Sequence, residues 1–499
     1  MRRYFHNNCF IKKILKFKGE ISMNSQINIP SKKLIFLITL LVIFLTLSLV
    51  VRAQDSGIYI KVGEAQIKKS MIAFPQPNFI GSGLATPQQA KTGAELFKVI
   101  QHDLLVTGYF DFATTFLDDI SNTAPVPVTA DPNGFKFENL KKIGANFIIR
   151  IAFSISGNNL TVDTYTYQVE STRLVLGKKY TTTLTNLNRI AHTFSNDLLK
   201  ALTGKEGMFL SKVVASVAKE GSKVKEIYTM DWDGYNLHQE TFHNSIALSP
   251  NWSPDGTKII YTAFIKKGGV NGLRNPDMLL YDLTTKNRWL LSHRKGLNSG
   301  GAFHPNGKSV FLTISRDGNS DLFHIDLEGN IIGKPLTQGP LGALNVEPSP
   351  SPDGSKIAFS SDRSGHPMIW VMNSDGSNLK QRTFAGDYNS APAWSPDGTK
   401  LAFAGYEKNH YDIFIMNEDG SKMERLTEAK KKGGGWASNE DPVFSPDGRH
   451  VMFTSDRDGK NQIYIINIDG KNEHRITFDR KDYFKPRWST NFSSEVVLK

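Results

Sequence analysis

The chain has 499 residues, 39% of them hydrophobic and 22% charged, which excludes a disordered polymer and asks for more than one domain. Its formal charge of +12 invites a polyanion partner, but residues 1–53 hold nine Lys/Arg against one acid. Subtracting these from the 60 basic and 48 acidic residues of the chain leaves an excess of only four, so nucleic acid is not an expected partner.

Residues 1–53 read as an export leader. Lys32-Lys33 precedes an uncharged run from Leu34 to Val51, and Val51-Arg52-Ala53 supplies small residues for cleavage after Ala53. At 18 residues the run also reaches the lower bound for a spanning helix, so a cleaved signal and a retained anchor both stay open. Either reading places the bulk of the chain outside the cytoplasm. Met1 and Met23 are alternative starts, and the absence of Cys after the run excludes a lipoprotein. The only cysteine, Cys9, lies in the leader, so the mature chain has neither disulfide nor thiol chemistry.

Residues 54–205 mix helix and strand patterns, an α/β domain of ordinary size. Thr86-Pro87-Gln88-Gln89 starts a helix, with Thr as N-cap, Pro at the first helical position and Gln completing a capping box. Ala94, Phe97, Ile100 and Leu104 follow at helical spacing until Gly108. Strands are expected at Ala145–Ile155 and Leu160–Val169, joined by a Gly157-Asn158-Asn159 turn. A last helix from Leu187 to Leu202 sets Ile190, Ala191, Phe194, Leu198 and Leu202 on one face before Thr203-Gly204 ends it.

Residues 206–499 are written in repeats. Pro254-Asp255-Gly256, Pro305-Asn306-Gly307, Pro352-Asp353-Gly354, Pro396-Asp397-Gly398 and Pro446-Asp447-Gly448 are tight turns, each followed by two alternating β-branched or aromatic runs. The repeat starts, Trp252, Phe303, Pro350, Trp394, Phe444 and Trp488, are 51, 47, 44, 50 and 44 residues apart, about one four-stranded propeller blade per copy. The first strand pair, Val213–Ala215 with Glu226–Met230, lacks its start, and Arg487-Trp488-Ser489 lacks its continuation. Joined, they complete an all-β six-bladed propeller preceded by the small α/β domain.

Catalytic and metal patterns are missing. There is no Gly-x-Ser-x-Gly elbow, no His-Glu-x-x-His and no phosphate loop. His192, His238, His243, His293, His304, His410, His450 and His474 are scattered and read as structural or solvated. The turn aspartates lack the spacing of a calcium loop, and Trp252, Trp394 and Trp488 read as inter-blade core. No cofactor or metal is expected. The positions that vary between blades stand out instead. Five residues before each start lie Ala247, Asn298, Asn345, Asn389, Asn439 and Tyr483, and two before lie Pro250, Gly301, Pro348, Pro392, Pro442 and Pro486. These segments converge on one mouth of the channel, where Asn either reads a partner or forms a turn. Their neighbours Ser299, Glu347, Ser390, Glu440, Asp441 and Lys485 make a polar rim of mixed charge, suited to a protein or peptide.

The junction Leu202-Thr203-Gly204-Lys205-Glu206-Gly207-Met208-Phe209 and the terminal Pro486-Arg487-Trp488-Ser489, in the order leader, α/β domain, six repeats, resemble the TolB family of the Tol-Pal envelope system. Asp233-Gly234-Tyr235-Asn236 also matches, whereas Asp282-Leu283-Thr284-Thr285 lacks the family's Asp-Gly turn and the tail from Thr490 to Lys499 is long. The resemblance implies a non-catalytic periplasmic adaptor, monomeric and touching membranes only through its partners, that supports outer-membrane integrity and envelope constriction at cell division. It places Pal, a peptidoglycan-associated lipoprotein, at the mouth: Asn298, Ser299, Asn345, Val346, Glu347, Asn389 and Ser390, with Asn439, Glu440 and Lys485 on the same rim. It places TolA, which spans from the inner membrane, on the N-terminal strand Asp55, Ser56, Gly57, Ile58, Tyr59, Ile60, Lys61 and Val62. The alternative is an exported propeller enzyme or glycan-binding protein. A peptidase of that kind needs a nucleophile elbow, and a lyase needs clustered His or acids where Asn and Ser stand.

Overall fold

The turn that punctuates each repeat is built by its own side chains. At Ser253–Lys258, Gly256 adopts φ 71° and donates its N–H to Ser253 O, while Asp255 Oδ1 accepts from Ser253 Oγ at 2.5 Å and from Thr257 N at 3.0 Å. Asp353, Asp397 and Asp447 repeat the arrangement; His304 and Asn306 replace it in the third blade. The second blade's outer turn, which lacks Asp-Gly, holds Asp282 Oδ1 against the amides of Thr284 and Thr285, both at 2.9 Å. The Thr284 hydroxyl, which donates to the same oxygen, and then these amides lower the Asp282 carboxyl to about 2.

This computed structural model describes residues 69–113 (except 83), 136–266, 274–492 (except 317) and 497–498, all within the unit Tyr59–Lys499. The leader and the segment Asp55–Val62 lie outside the described residues. Six antiparallel sheets form the propeller. Blade 1 unites both ends of the repeat region, in the order Asp482–Trp488, Lys212–Ala218, Lys225–Asp231, His238–Gln239. The inner strands of blades 2–6 are Ala247–Trp252, Asn298–Phe303, Asn345–Pro350, Tyr388–Trp394 and Asn439–Phe444. Blade 3 has three strands, its fourth reduced to a bridge between Ile325 and Ile331.

Neighbouring blades share cores and are bolted by hydrogen bonds. Trp394 of blade 5 packs with Ile369 and Val371 of blade 4 and donates Nε1–H to Ser349 O at 2.9 Å. Trp252 does the same toward Arg487 O at 3.1 Å. Near the other end of the inner strands, hydroxyls reach the next blade's carbonyl: Ser216 to Ala247 at 2.5 Å, Thr262 to Asn298 at 3.2 Å and Ser360 to Asn389 at 2.9 Å.

The α/β domain has a seven-stranded sheet in the order Phe110–Phe112, Ser70–Ala73, Phe147–Ser156, Asn159–Gln168, Leu174–Thr183, Val497–Leu498, with Asn78–Phe79 beside Phe147–Ser156. Leu174–Thr183 is a strand the sequence reading lacked, and the chain's tail pairs with it, Val497 opposite Thr181. On its way there the tail donates Asn491 Nδ2–H to Gly207 O at 2.8 Å and sets Phe492 against Trp252. Helices Pro87–Val106 and Leu187–Thr203 pack together. The expected capping box of Thr86 with Gln89 is present, but the buried face runs through Leu96, Val99, Ile100, Asp103 and Leu104, leaving Ala94 exposed. Among the described residues, this domain meets the propeller at the Trp/Phe ends of the inner strands. There Asn472 Nδ2 and His450 Nε2 approach Val106 O at 2.8 and 3.2 Å, engaging a carbonyl that the helix terminus leaves without an intrahelical partner.

Replacing Trp394 by Phe keeps most of the buried area and leaves Ser349 O unpaired, at a cost of about 1–2 kcal/mol. Trp394→Ala also opens a cavity and costs about 3–5 kcal/mol. Urea midpoints of the two variants test this; a Trp394→Phe variant as stable as the parent would remove the hydrogen bond from the account.

Candidate partner-binding site

Each inner strand is interrupted at the same place. The ladders shift register between Leu248 and Asn251, Ser299 and Ala302, Val346 and Ser349, Ser390 and Ala393, Glu440 and Val443, and Phe484 and Arg487. At each shift one residue takes positive φ: Ser249, Gly300, Glu347, Ala391, Asp441 and Lys485, between 50 and 66°. Five of the six precede a proline, which bars αR for the residue before it and has no N–H to give a ladder. The bulge falls there, and its side chains turn into the channel.

Those side chains are not equivalent, and three of them meet. Lys485 Nζ of blade 1 lies 2.5 Å from Glu347 Oε1 of blade 4 and 2.8 Å from Asp441 Oδ1 of blade 6. Blades 1 and 4 are diametrically opposed in a six-membered ring, so the pair is a strut across the channel. Glu347 Oε2 also accepts the Ala391 amide at 2.8 Å, and Asp441 Oδ2 accepts the Lys485 amide at 3.1 Å. Burial alone would lower the Lys485 pKa, but Asp441 and Glu347 hold it well above the usual amine range. Asp441 is held below its usual range: burial opposes this, and Lys485 outweighs it. Beyond the strut, the channel continues as a cavity of about 370 Å³ lined by Arg487, Trp394 and the prolines of the repeat turns.

The rim above the strut carries Ser299, Val346 and Ser390, all half-buried, and the exposed Glu440. Although Glu440 reaches solvent, its carboxyl sits low among protein atoms and beside Asp441, and is pushed up to about 7. Tyr388 lies edge-on to Tyr411 at 6.1 Å, and Tyr406 lies 4.9 Å from Tyr411, giving this sector an aromatic wall.

The four asparagines require a correction. Asn298, Asn345, Asn389 and Asn439 are buried, none more than 3% exposed, and their side chains are spent inside the protein. Asn298 Nδ2 donates to Arg294 O and its Oδ1 accepts from Ser292 Oγ; Asn345 bonds Asp321 and Ser361. Asn389 donates to Ala385 O, and Asn439 bonds Asp412 and Arg457. They shape the loops under the rim and present no side chain to a visitor, so the turn-forming alternative holds. Glu347, Asp441 and Lys485 are brought together; the strand Asp55–Val62 lies outside the described residues. Sequence spacing could not show the strut, since Glu347 and Lys485 are 138 positions apart and their pairing depends on ring closure.

Comparison with known proteins agrees with this architecture. The TolB beta propeller domain model matches residues 199–391 and 387–499. A "Protein TolB homolog" of Chlorobium chlorochromatii is 36% identical over 227 residues, 46% of this chain and 48% of that protein. "Tol-Pal system protein TolB" of Desulfosudis oleivorans is 28% identical over 276 residues, 55% of this chain and 59% of its own. The aligned parts thus span about half to three fifths of these relatives. The crystal structure of TolB from Acinetobacter baumannii superimposes with a TM-score of 0.70 at 23% identity, covering 87% of this chain and 99% of that one, which supports the fold.

A carboxyl whose pKa is raised on folding stabilises the protein below its unfolded value, and that stability is lost as pH rises through the folded one. Glu440 therefore lowers stability progressively between about 4.5 and about 7. Lys485 counteracts the acids around Glu440, so in Lys485→Met this carboxyl titrates above about 7. Carboxyl carbon shifts followed by NMR test this; an unmoved titration would detach the strut from the rim. By the match over residues 199–499, and with the propeller it folds into, the chain belongs to the TolB beta propeller family.

Proposed function

We propose that the chain is a non-catalytic periplasmic adaptor of the Tol-Pal system, whose propeller mouth binds a Pal-like outer-membrane lipoprotein. The observation that carries this reading is the position of the strutted, rimmed mouth. It lies at the opposite end of the inner strands from the docked α/β domain, open to a macromolecule, in a chain of the TolB family. The footprint on this reading is Ser299, Val346, Glu347, Ser390, Glu440 and Lys485, with the buried asparagines holding the loops. A TolA-like inner-membrane partner engages the segment Asp55–Val62 by strand pairing. Two partners on separate parts of one monomer would link the outer and inner membranes, supporting envelope integrity and constriction at division, with neither cofactor nor metal.

Pull-down from envelope extract tests the assignment. Glu347→Ala/Glu440→Ala and a Ser299→Trp variant are expected to lose a peptidoglycan-associated lipoprotein, each by at least tenfold, while keeping an inner-membrane partner. Deleting residues 54–62 is expected to do the reverse. If all variants capture what the parent captures, the mouth and the strand are not the partner sites.

A further inference from the structure

A buried histidine between two carboxylates joins the α/β domain to blade 1. His192, on helix Leu187–Thr203, is 2% exposed; Asp103, on helix Pro87–Val106, and Asp233, in the turn after Lys225–Asp231, are equally buried. His192 Nδ1 lies 3.0 Å from Asp103 Oδ2, and Nε2 lies 3.3 Å from Asp233 Oδ2. Nδ1 is hydrogen-bonded to Asp103 while Nε2 stands at ion-pair distance from Asp233 without an aligned hydrogen bond, and two buried carboxylates beside one ring favour its charged form. One of the two acids belongs to the histidine's own domain and the other to the propeller. Trp232, fully buried beside Asp233, is enclosed by His102, His192 and Phe209 at 5.5, 6.0 and 5.5 Å.

The remaining contacts of the junction are of another kind. At blade 6, Asn472 and His450 meet the carbonyl of Val106, and Arg449 lies over the Tyr109 ring at 5.1 Å. The groups facing His192 are Asp103 from its own domain and Asp233 from blade 1; His102 sits across Trp232, with His474 of blade 6 behind it. Asp233 is thus the one carboxylate the propeller offers to His192 among the described residues.

We propose that the Asp103–His192–Asp233 clamp is a releasable latch, which fastens the α/β domain to blade 1 and lets go when its charge pattern is broken. This goes beyond the adaptor reading and does not depend on any partner. An ion pair buried this deeply holds only while complete, because loss of one member strands an uncompensated charge.

The pH dependence has a defined sign. Burial works against the imidazolium, but the two carboxylates outweigh it and hold the His192 pKa well above 6.5. Its contribution to docking is therefore complete below 6.5 and is lost as pH rises through the raised value. Burial would raise Asp233, but His192 lowers it below 3.8, so its contribution persists until pH falls through that lower value. Asp103 is raised, by burial above all, and takes the first proton on acidification. On the alkaline side the latch opens as His192 loses its proton.

Hydrogen exchange of the purified full chain, corrected for intrinsic rates, tests the latch. Peptides covering 99–106, 187–203 and 230–236 report the junction, and 356–373 of blade 4 serves as reference. Asp233→Asn is expected to speed junction exchange on the order of a hundredfold, with blade 4 unchanged; the parent is expected to follow as pH rises. A triple variant, Asp103→Asn/His192→Leu/Asp233→Asn, is expected to stay docked and lose the pH response. Junction exchange unchanged in Asp233→Asn, or acceleration spread equally over blade 4, would overturn the proposal. So would a triple variant that keeps the alkaline opening, which decides the matter even if the single variant fails to fold.

Discussion

The molecule depends on one ladder, between Asp482–Trp488 and Lys212–Ala218. Without it the propeller would be an open arc of five blades with an unpaired strand edge at each end, the condition that closed β architectures avoid. With it, blade 1 has an inner strand from the end of the repeats and outer strands from their beginning. The closure also places Lys485 opposite Glu347 and the Asp233 turn against the α/β domain. Both sites are thus consequences of where the ring was cut into a linear chain.

The inner-strand bulge is the second constraint, and it converts a repeat into a site. Positive φ is costly for residues other than glycine, yet Glu347, Asp441 and Lys485 all adopt it. The proline after each forces the backbone out of regular pairing, and the side chain that follows the bulge inward is free to differ between blades. Where it is Ser249 or Ala391 the lining is neutral; where it is acid or lysine the channel gains a crosspiece. The repeat frame fixes geometry, and the one residue it releases carries identity.

These features differ in how far the sequence discloses them. Blade number, the closing offset and the Pro-Asp-Gly turns are local patterns at a fixed period, and the chain states them openly. The helix Leu187–Thr203 with its face of Ile190, Phe194 and Leu198 is equally plain. The face of Pro87–Val106 is legible at Ile100 and Leu104 but not at Ala94, which is exposed, because its buried stripe includes Gly93 and Asp103, which hydrophobic periodicity does not count. The repeated asparagines were visible, but whether Asn faces inward or outward is decided by neighbours such as Ser292, Asp321 and Arg457, which only the blade supplies. His192 read as one of several scattered histidines, since nothing in its own helix marks the two acids that come from 89 and 41 positions away.

Blade 1 contributes to both ends of the propeller. Its inner strand carries Lys485 toward the mouth, and its register continues through Lys212–Ala218 to Lys225–Asp231, whose turn holds Asp233 at the junction. Among the described residues, no other blade takes part in both the strut and the clamp. A stiff ladder transmits a binding event only when both ends have alternative states whose populations differ. Each end is a cation held between two acids, satisfied while complete and poorly tolerated when one member is drawn away. A visitor that captures Glu347 or Asp441 at the mouth would alter the restraint on Lys485 and hence on the bulge of the closing strand. Blade 6 makes hydrogen-bonded and ring contacts at the junction, with no described ion pair to the α/β domain, and contributes only Asp441 to the strut.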